Sequence, residues 1–397
     1  MNEHLIIRNF GPVTSLDIDI KPFTVFIGEQ GSGKSTISKV LTICRDLGFL
    51  FCLSRHHDTL ALSCFEKYRL QRMLDSNENA FIEYQADGCW WRYENKTLYA
   101  SQDESFLENK CSKIFQNYRK LVDEKSSSIG DNDVSSLQSN LNNFNLSRQT
   151  LLYIPSERVM ATQLFPSLAN VMLHNIPLEK PVLEYMSLFE KARKESLSYA
   201  VPFLGITYKY SQGKDMVEVD NNKEMIPMEE ASSGIQSVLP LLMVFDYCSK
   251  QGYFNSFVIE EPEQNLFPSS QVELLRFILS RRENRDKNAR FVITTHSPYM
   301  LSALNNYLYA AELANNPLVD KEEVDAVVPS NCQISIDDCA VYSLGKNLNG
   351  GEYCKSVISE ETHLIDFNYL DKVSMDMGSE FDRLQNIYLN SLRKNRK

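Results

Sequence analysis

Residues 28–36, GEQGSGKST, have the types and spacing needed to bind a phosphate chain. They match the pattern G-x-x-x-x-G-K-[ST], with Gly28, Gly33, Lys34 and Ser35 at its fixed positions. Glycines let the backbone turn its N–H groups towards phosphate, and the dipole of a following helix favours the same negative charge. The pattern predicts that Lys34 reaches the β and γ phosphates of a nucleotide and that the Ser35 hydroxyl binds Mg²⁺. The predicted phosphate loop consists of Gly28, Glu29, Gln30, Gly31, Ser32, Gly33, Lys34 and Ser35.

Two adjacent carboxylates supply the second part of the predicted site. A phosphate loop needs a neighbouring strand whose terminal acid holds magnesium, and Glu260 has that position after the apolar run at 257–259, with Glu261 next to it. Adjacent residues at a strand end point in different directions, so one carboxylate can hold the metal through water while the other orients an attacking water. A carboxylate beside Mg²⁺ serves as a general base without a strongly raised pKa. The alternative is an acidic surface turn that begins at Pro262.

His296 follows a second apolar run, at 291–295. A lone histidine is more often structural, but at the C-terminal end of a parallel strand it faces the crevice where ligands bind. From there it can donate a hydrogen bond to a γ phosphate.

Residues 231–237, ASSGIQS, precede the apolar run VLPLLMVF, so Ser232 or Ser233 is placed to cap a helix. A serine hydroxyl and free N–H groups at a helix start also form an anion site. Because the chain has no second phosphate loop, the nearest phosphate that this stretch can complete belongs to another copy of the chain.

These motifs lie in an alternation of strands and helices. Short strands are predicted in HLIIRNF, LDIDI and FTVFIGE, then a helix after the phosphate loop, buried strands at 150–155, 256–263 and 290–298, and hairpins before residue 231. The order predicts an α/β fold with a largely parallel sheet, to which the N-terminal antiparallel strands are added. Residues 81–100 alternate around Asp87-Gly88 like a hairpin, a helix is predicted after residue 104, and 125–147 is a polar linker.

Composition limits the class of protein. The 397 residues are 43% hydrophobic and 23% charged, which is typical of a globular chain. The net charge of −11 disfavours a surface that follows DNA, and the basic run at 280–290 is interpreted as a solvated loop before a strand. Nine scattered cysteines without C-x-x-C spacing, the absence of a signal-peptide pattern at the start and the lack of a long apolar run predict a cytoplasmic protein with reduced thiols and no membrane segment.

Taken in chain order, GEQGSGKST, ASSGIQS, FVIEEPEQNLFP and VITTHSP resemble the Walker A, signature, Walker B with D-loop, and H-loop motifs of ABC-class ATPases. The forms EEPExxL-P and THSP are similar to the branch with OLD-family proteins, SMC-type ATPases and the ATPase subunits of antiphage systems of the PARIS (AriA) and Septu (PtuA) type. The resemblance implies a split ABC-type head at 1–48 and 150–310, an inserted α+β and helical segment at 49–149, and a C-terminal α/β extension at 311–397. It also implies no Toprim nuclease domain, because the acids Asp337 and Asp338 are adjacent rather than spaced D-x-D.

The resemblance also implies a role for each site residue. Lys34, Ser35 and Thr36 would bind phosphate and Mg²⁺, with Ser35 and Glu260 as metal ligands. Glu261 would be the catalytic base and His296 the γ-phosphate sensor. Ser232, Ser233, Gly234 and Gln236 would act in trans on ATP bound to the opposite protomer, which implies an ATP-sandwich homodimer. We therefore expect Ser233→Arg and Gly234→Asp to preserve the fold and ATP binding while hydrolysis falls.

Two positions depart from the family pattern. A Q-loop glutamine is expected just after the strand at 150–155, but the chain has Ser156-Glu157-Arg158 there. Arg158 is accordingly a candidate for nucleotide or dimer contacts. Phe267 lies where relatives often carry a histidine after the D-loop, so slow hydrolysis is expected.

Three functions are compatible with these motifs. The first is an ATPase that acts as sensor and scaffold for a separately encoded effector, a Toprim or HNH nuclease, in antiphage defence, with a phage protein as trigger. The second is an SMC-like ATPase that acts directly on DNA, but residues 50–145 lack the sustained heptads its arms require. The third, a transporter subunit, is disfavoured because the signature is SSGIQ rather than L-S-G-G-Q.

Overall fold

The computed structural model describes residues 3–54, 57–86, 89–101, 151–164, 173–174, 178–211, 213–219, 223–251, 256–283, 289–349, 351–366 and 369–394. The elements are numbered within these ranges. The strands are β1 Glu3–Phe10, β2 Val13–Ile20, β3 Phe23–Gly28, β4 Phe81–Ala86, β5 Cys89–Glu94, β6 Thr97–Ala100, β7 Leu151–Ile154, β8 Ser198–Val201, β9 Ile206–Ser211, β10 Lys214–Val219, β11 Glu224–Pro227, β12 Ser256–Glu260, β13 Arg290–Thr295, β14 Cys339–Asn349 and β15 Glu352–Ser356.

The α-helices are α1 Lys34–Cys44, α2 Leu47–Ser54, α3 Asp58–Lys67, α4 Gln71–Ser76, α5 Val159–Leu164, α6 Lys180–Glu195, α7 Ser233–Gln251, α8 Pro268–Glu283, α9 Pro298–Ala314, α10 Lys321–Val327 and α11 Tyr369–Lys394. Proline at the first position of α8 and α9 suits a helix start, where no intrahelical partner for its missing N–H is needed. Ser297 caps α9, because its hydroxyl accepts hydrogen bonds from the N–H groups of Tyr299 and Met300.

A six-stranded sheet in the order β15-β14-β3-β13-β12-β7 carries the phosphate loop and the carboxylates. Its neighbours are parallel except for β15, which runs antiparallel to β14. The C-terminal ends of β3, β12 and β13 therefore meet at one edge of the sheet. This confirms the predicted α/β class with a largely parallel sheet.

Side chains alternate between two cores on the two faces of this sheet. On β12, Phe257 and Ile259 point into the core that includes α6 to α9, whereas Val258 points into the core shared with α1 and the N-terminal strands. The rings of Phe257 and Phe291 stack with centroids 4.8 Å apart. Burial on both faces explains why these strands are continuous apolar runs.

The N-terminal strands belong to a five-stranded antiparallel sheet in the order β2-β1-β4-β5-β6. The predicted hairpin strands at 81–100 thus extend the sheet that β1 begins, since β4 pairs with β1 from Arg8–Phe81 to Glu3–Ala86. The turn predicted at Asp87-Gly88, and the helix and polar linker predicted between 102 and 150, lie outside the described residues. The domain boundaries at 48, 150 and 310 stay predictions.

A third sheet, β11-β10-β9-β8, is antiparallel and leads into α7, as the hairpin patterns before residue 231 predict. The tail alternates helix and strand, and its strand β14 is an inner strand of the central sheet, paired with β3 from Cys339–Phe23 to Leu344–Gly28. Among the described helices, none has the length and apolar character to cross a bilayer.

Candidate ATPase site

The phosphate loop connects the end of β3 at Gly28 to the start of α1 at Lys34. Gly33 has φ 97°, a backbone conformation that other residues rarely adopt. A Cβ atom there would also lie 2.5 Å from the Tyr353 hydroxyl, and that hydroxyl donates a hydrogen bond to the Ser32 carbonyl. Tyr353, on β15, therefore supports the loop through this hydrogen bond. It was missed because the tail contains no motif that marks it.

Lys34 is buried, and its Nζ donates hydrogen bonds to the carbonyls of Gly28 (2.8 Å) and Glu29 (2.9 Å). Burial lowers the pKa of Lys34 to about 8, against the opposing charges of Glu261, Glu260 and Glu263. The ammonium is thus held inside the loop, where the pattern places it against phosphates.

The pKa of Lys34 predicts how nucleotide binding depends on pH. Phosphates favour the charged amine, so binding above the pKa of the free protein must take up a proton. We expect the Kd for ATP to be nearly constant below pH 7 and to rise roughly tenfold between pH 7.5 and pH 9. Titration calorimetry in buffers of different ionisation enthalpy measures both Kd and proton uptake.

The matched control is Lys34→Arg, which stays charged over this range. Its Kd, whether tight or weak, should not change between pH 7.5 and pH 9. A wild-type Kd as flat as that of this variant would contradict the assigned pKa.

Glu260 is the last residue of β12 and is 2% exposed. Burial raises its pKa, while the Ser35 hydroxyl, the Lys39 charge and the Tyr153 hydroxyl oppose that shift. Its Oε1 atom has no hydrogen-bond partner within the described ranges. A buried carboxylate oxygen without a partner beside a serine hydroxyl fits a Mg²⁺ ion, which takes one or two protein oxygens and completes its shell with phosphate and water. The predicted pair Ser35 and Glu260 is therefore brought together.

Glu261 has φ 42°, which is uncommon for a residue with a side chain and marks a locally strained backbone. Its N–H donates to the Thr294 carbonyl at 3.0 Å. Its carboxylate Oε1 lies 3.3 Å from Nε2 of His296, and this hydrogen bond is the largest cause of the lowered pKa of Glu261. Glu261 is thus an ionised carboxylate in contact with His296, and Lys34 is close enough to lower its pKa further.

Glu263 holds His296 in place and was not singled out by sequence reasoning. Its Oε1 accepts hydrogen bonds from the Thr295 hydroxyl (2.6 Å) and from the His296 N–H (3.0 Å). Burial raises its pKa, whereas these two donors oppose that shift. Its place three residues after Glu260 was the available signal. The side chain positions the H-loop and makes no acidic surface turn.

The prediction that Arg158 contacts nucleotide or the dimer partner is corrected, because its side chain is fully buried. Its guanidinium donates to three consecutive carbonyls, of Glu260 (2.7 Å), Glu261 (2.5 Å) and Pro262 (3.2 Å), and to that of Pro155 (3.3 Å). Arg158 therefore fixes the turn that carries both carboxylates.

The predicted signature residues divide into two groups. Ser232 and Ser233 are exposed at the start of α7, and the Ser232 hydroxyl accepts from the N–H of Ile235 at 3.5 Å, as a cap does. Gln236 instead points inward, and its amide donates to the carbonyls of Glu229 (2.9 Å) and Ala231 (2.8 Å). The prediction that Gln236 contacts ATP in trans is therefore corrected: within its own chain it positions the turn before α7.

Gly234 also requires a correction. A Cβ atom there would lie 2.6 Å from the backbone carbonyl of Asn265. The expectation that Gly234→Asp preserves the fold is therefore wrong, since the new side chain collides with the D-loop of the same protomer.

The AAA ATPase domain family profile matches residues 1–52 and 65–301, which is well over half of the chain and includes the phosphate loop, both carboxylates and His296. The chain belongs to this AAA ATPase family. It is thus a P-loop ATPase, as the motifs predict. A comparison of the ATPase with curated proteins found no match.

Solved structures similar to the ATPase include three SMC heads. The SMC head bound to the C-winged helix domain of ScpA is 14% identical, with TM-score 0.42, over 76% of this chain and 92% of that chain. The SMC head domain from Thermotoga maritima is 11% identical, with TM-score 0.38, over 90% and 98%. The Smc head with an extended coiled coil, bound to the C-terminal domain of ScpA derived from Pyrococcus furiosus, is 12% identical, with TM-score 0.43, over 96% and 99%. At such low sequence identities and TM-scores, we infer neither a function nor a partner from these heads.

The ATPase thus collects its polar groups at the C-terminal edge of the parallel strands. The end of β3 contributes the phosphate loop, the end of β12 contributes Glu260 and Glu261, and the end of β13 leads to His296. These are the positions where parallel α/β sheets bind ligands.

Proposed function

We propose that Glu261 is the general base of ATP hydrolysis. Its ionised carboxylate accepts a proton from water while the water oxygen bonds to the γ phosphorus and the bond to the β,γ-bridging oxygen breaks. ADP and inorganic phosphate are the products. The observation that carries this role is the contact between Glu261 and His296 beside the Lys34 loop. His296 orients the base and would interact with the γ phosphate of a bound nucleotide.

Magnesium fits the Ser35 and Glu260 oxygens, and when bound it would neutralise charge on the phosphates. Lys34 supplies a second positive charge to the same phosphates. Glu260 would hold the metal and Glu261 would take the proton from water, because the turn that Arg158 fixes directs the two carboxylates to different partners.

The hydrolytic site is completed by a second copy of the chain. Ser232 and Ser233 are exposed at a helix start, and the aromatic ring of Phe267, which is 75% exposed, belongs to the D-loop that Gly234 contacts. Exposed serine side chains at a helix start, on an element that also contacts a loop with a large exposed apolar side chain, suit an interface that includes an anion. ATP would then close the dimer and hydrolysis would open it.

Ser233→Arg tests this dimer, because the exposed side chain has no described neighbour to clash with. We expect unchanged thermal stability and ATP affinity but a kcat at least about 100-fold lower, as when a group that stabilises the transition state is lost. Turnover, Kd and melting temperature are measured on the same preparation.

The control is Ser211→Arg, at an exposed serine that ends β9, where wild-type kcat is expected. If Ser233→Arg hydrolyses ATP at the wild-type rate, residues 231–237 serve only as a helix cap.

In the cell, the dimer would serve as sensor and scaffold that restrains or releases a separately encoded effector nuclease, of Toprim or HNH type, in response to a phage protein. Support comes from the resemblance of the EEPE and THSP motifs to antiphage ATPases. Co-purification with the product of the neighbouring gene tests this role, using wild type, Lys34→Ala and Glu261→Gln. If the partner does not bind, or binds equally to wild type and to both variants, this role as sensor and scaffold is excluded. If DNA stimulates hydrolysis in a salt-dependent way, direct action on DNA is favoured instead.

A further inference from the structure

Helix α11, Tyr369–Lys394, presents an uncovered amphipathic face. Every side chain described in it, from Met375 to Tyr388, is exposed. An apolar row recurs at helical spacing, with exposed fractions of 59–66%, and consists of Met377, Phe381, Leu384 and Ile387. Long helices in proteins gain most of their stability from packing such a face, so this row needs a partner.

Charge along the helix indicates which partner it is. Residues 369–382 contain four acids and one lysine, whereas 383–394 contain three basic residues and no acid. An identical helix in antiparallel orientation places the acidic half of each copy against the basic half of the other. A parallel pair in register places like charges together. The four acids and four basic residues cancel, whereas helices that lie on anionic membranes have an excess of Lys and Arg on the polar face.

Two residues set the register. Asp376 and Arg383 are seven residues apart, so they lie on one side of the helix about 10 Å from each other along its axis. With a two-fold axis midway between them, Asp376 of each copy lies opposite Arg383 of the other, beside the apolar row. We propose that α11 joins two copies of this chain as an antiparallel helix pair, without nucleotide. This interface is separate from the ATP-dependent one and does not rest on it.

The test is the mass of the full chain without nucleotide, by sedimentation velocity over a concentration series. We expect wild type to be dimeric, Leu384→Glu to be monomeric, and Asp376→Arg to dissociate at least about tenfold more readily. The exchange Asp376→Arg with Arg383→Asp restores opposite charges and should return the Kd close to that of wild type. ATP affinity should be unchanged in all variants, whereas the melting temperature should fall in the variants that dissociate, because association stabilises the folded protomers.

A wild-type chain that stays monomeric would overturn the proposal. If the dimer of the double variant dissociates as readily as that of Asp376→Arg alone, the antiparallel pairing is overturned. Loss of ATP turnover has no bearing on either result, so failure of the hydrolytic dimer is distinguishable from failure of this one.

Discussion

Glu261→Gln is expected to lower kcat roughly 100- to 10,000-fold, the usual contribution of a general base. The amide has nearly the shape of the carboxylate, so the turn, the phosphate loop and ATP binding should be preserved. Because ATP persists in the site, the closed dimer should accumulate. Steady-state turnover gives kcat, and native mass spectrometry with and without ATP gives the fraction of dimer.

Glu195→Gln is the matched control, because Glu195 is an exposed carboxylate at the end of α6. It should leave turnover and mass unchanged. To separate the ATP-dependent dimer from the α11 pair, the measurement is repeated with Leu384→Glu present. A Glu261→Gln protein that turns over ATP at more than about a tenth of the wild-type rate is incompatible with Glu261 as the base.

Arg158→Met should destabilise the fold by about 3–5 kcal/mol, because it leaves several buried carbonyls without donors. Arg158→Lys retains the charge but not the planar fork of donors, so an intermediate loss is expected. In Arg158→Lys the turn at Glu261 relaxes, and kcat should fall while KM for ATP stays near that of wild type. Urea unfolding measures the free energy of unfolding, and turnover is assayed at a temperature where the variant is folded.

Lys194→Met is the control, since its ion pair with Glu190 is exposed and worth little. If Arg158→Lys changed KM as much as kcat, Arg158 would act on nucleotide binding rather than on the position of Glu261. If Arg158→Met were as stable as Lys194→Met, the buried hydrogen bonds would not hold the turn.

The parts of this site that could be predicted are local in the chain. The phosphate loop, Glu260, Glu261 and His296 each follow an apolar strand, and parallel strands bring their ends to one edge. Arg158, Gln236 and Tyr353 could not be assigned in this way, because each acts through carbonyls that only the folded chain places nearby. The sequence patterns mark Arg158 and Gln236 as polar residues near motifs, but whether a side chain turns inward depends on which carbonyls lack partners there.

The fold of the tail shows the same limit. Residues 339–349 have a composition that is ordinary for a strand. Their residue types do not indicate that they pair with β3, which lies near the other end of the sequence. Pairing over such distances follows from which strand edges remain unpaired, and that is a property of the assembled sheet.

The pairing of β3 with β13 and β14 also sets the order of events during synthesis. The ribosome makes β3 early, but Arg290 and Leu344 emerge on the order of tens of seconds later at roughly 5–20 residues per second. Until then, the phosphate loop ends a strand that has neither neighbour, and Tyr353 is not there to support it. A nascent chain therefore acquires its nucleotide site late, after α7 and both carboxylates have been made. Unfinished copies are in this way kept out of any assembly that requires bound ATP.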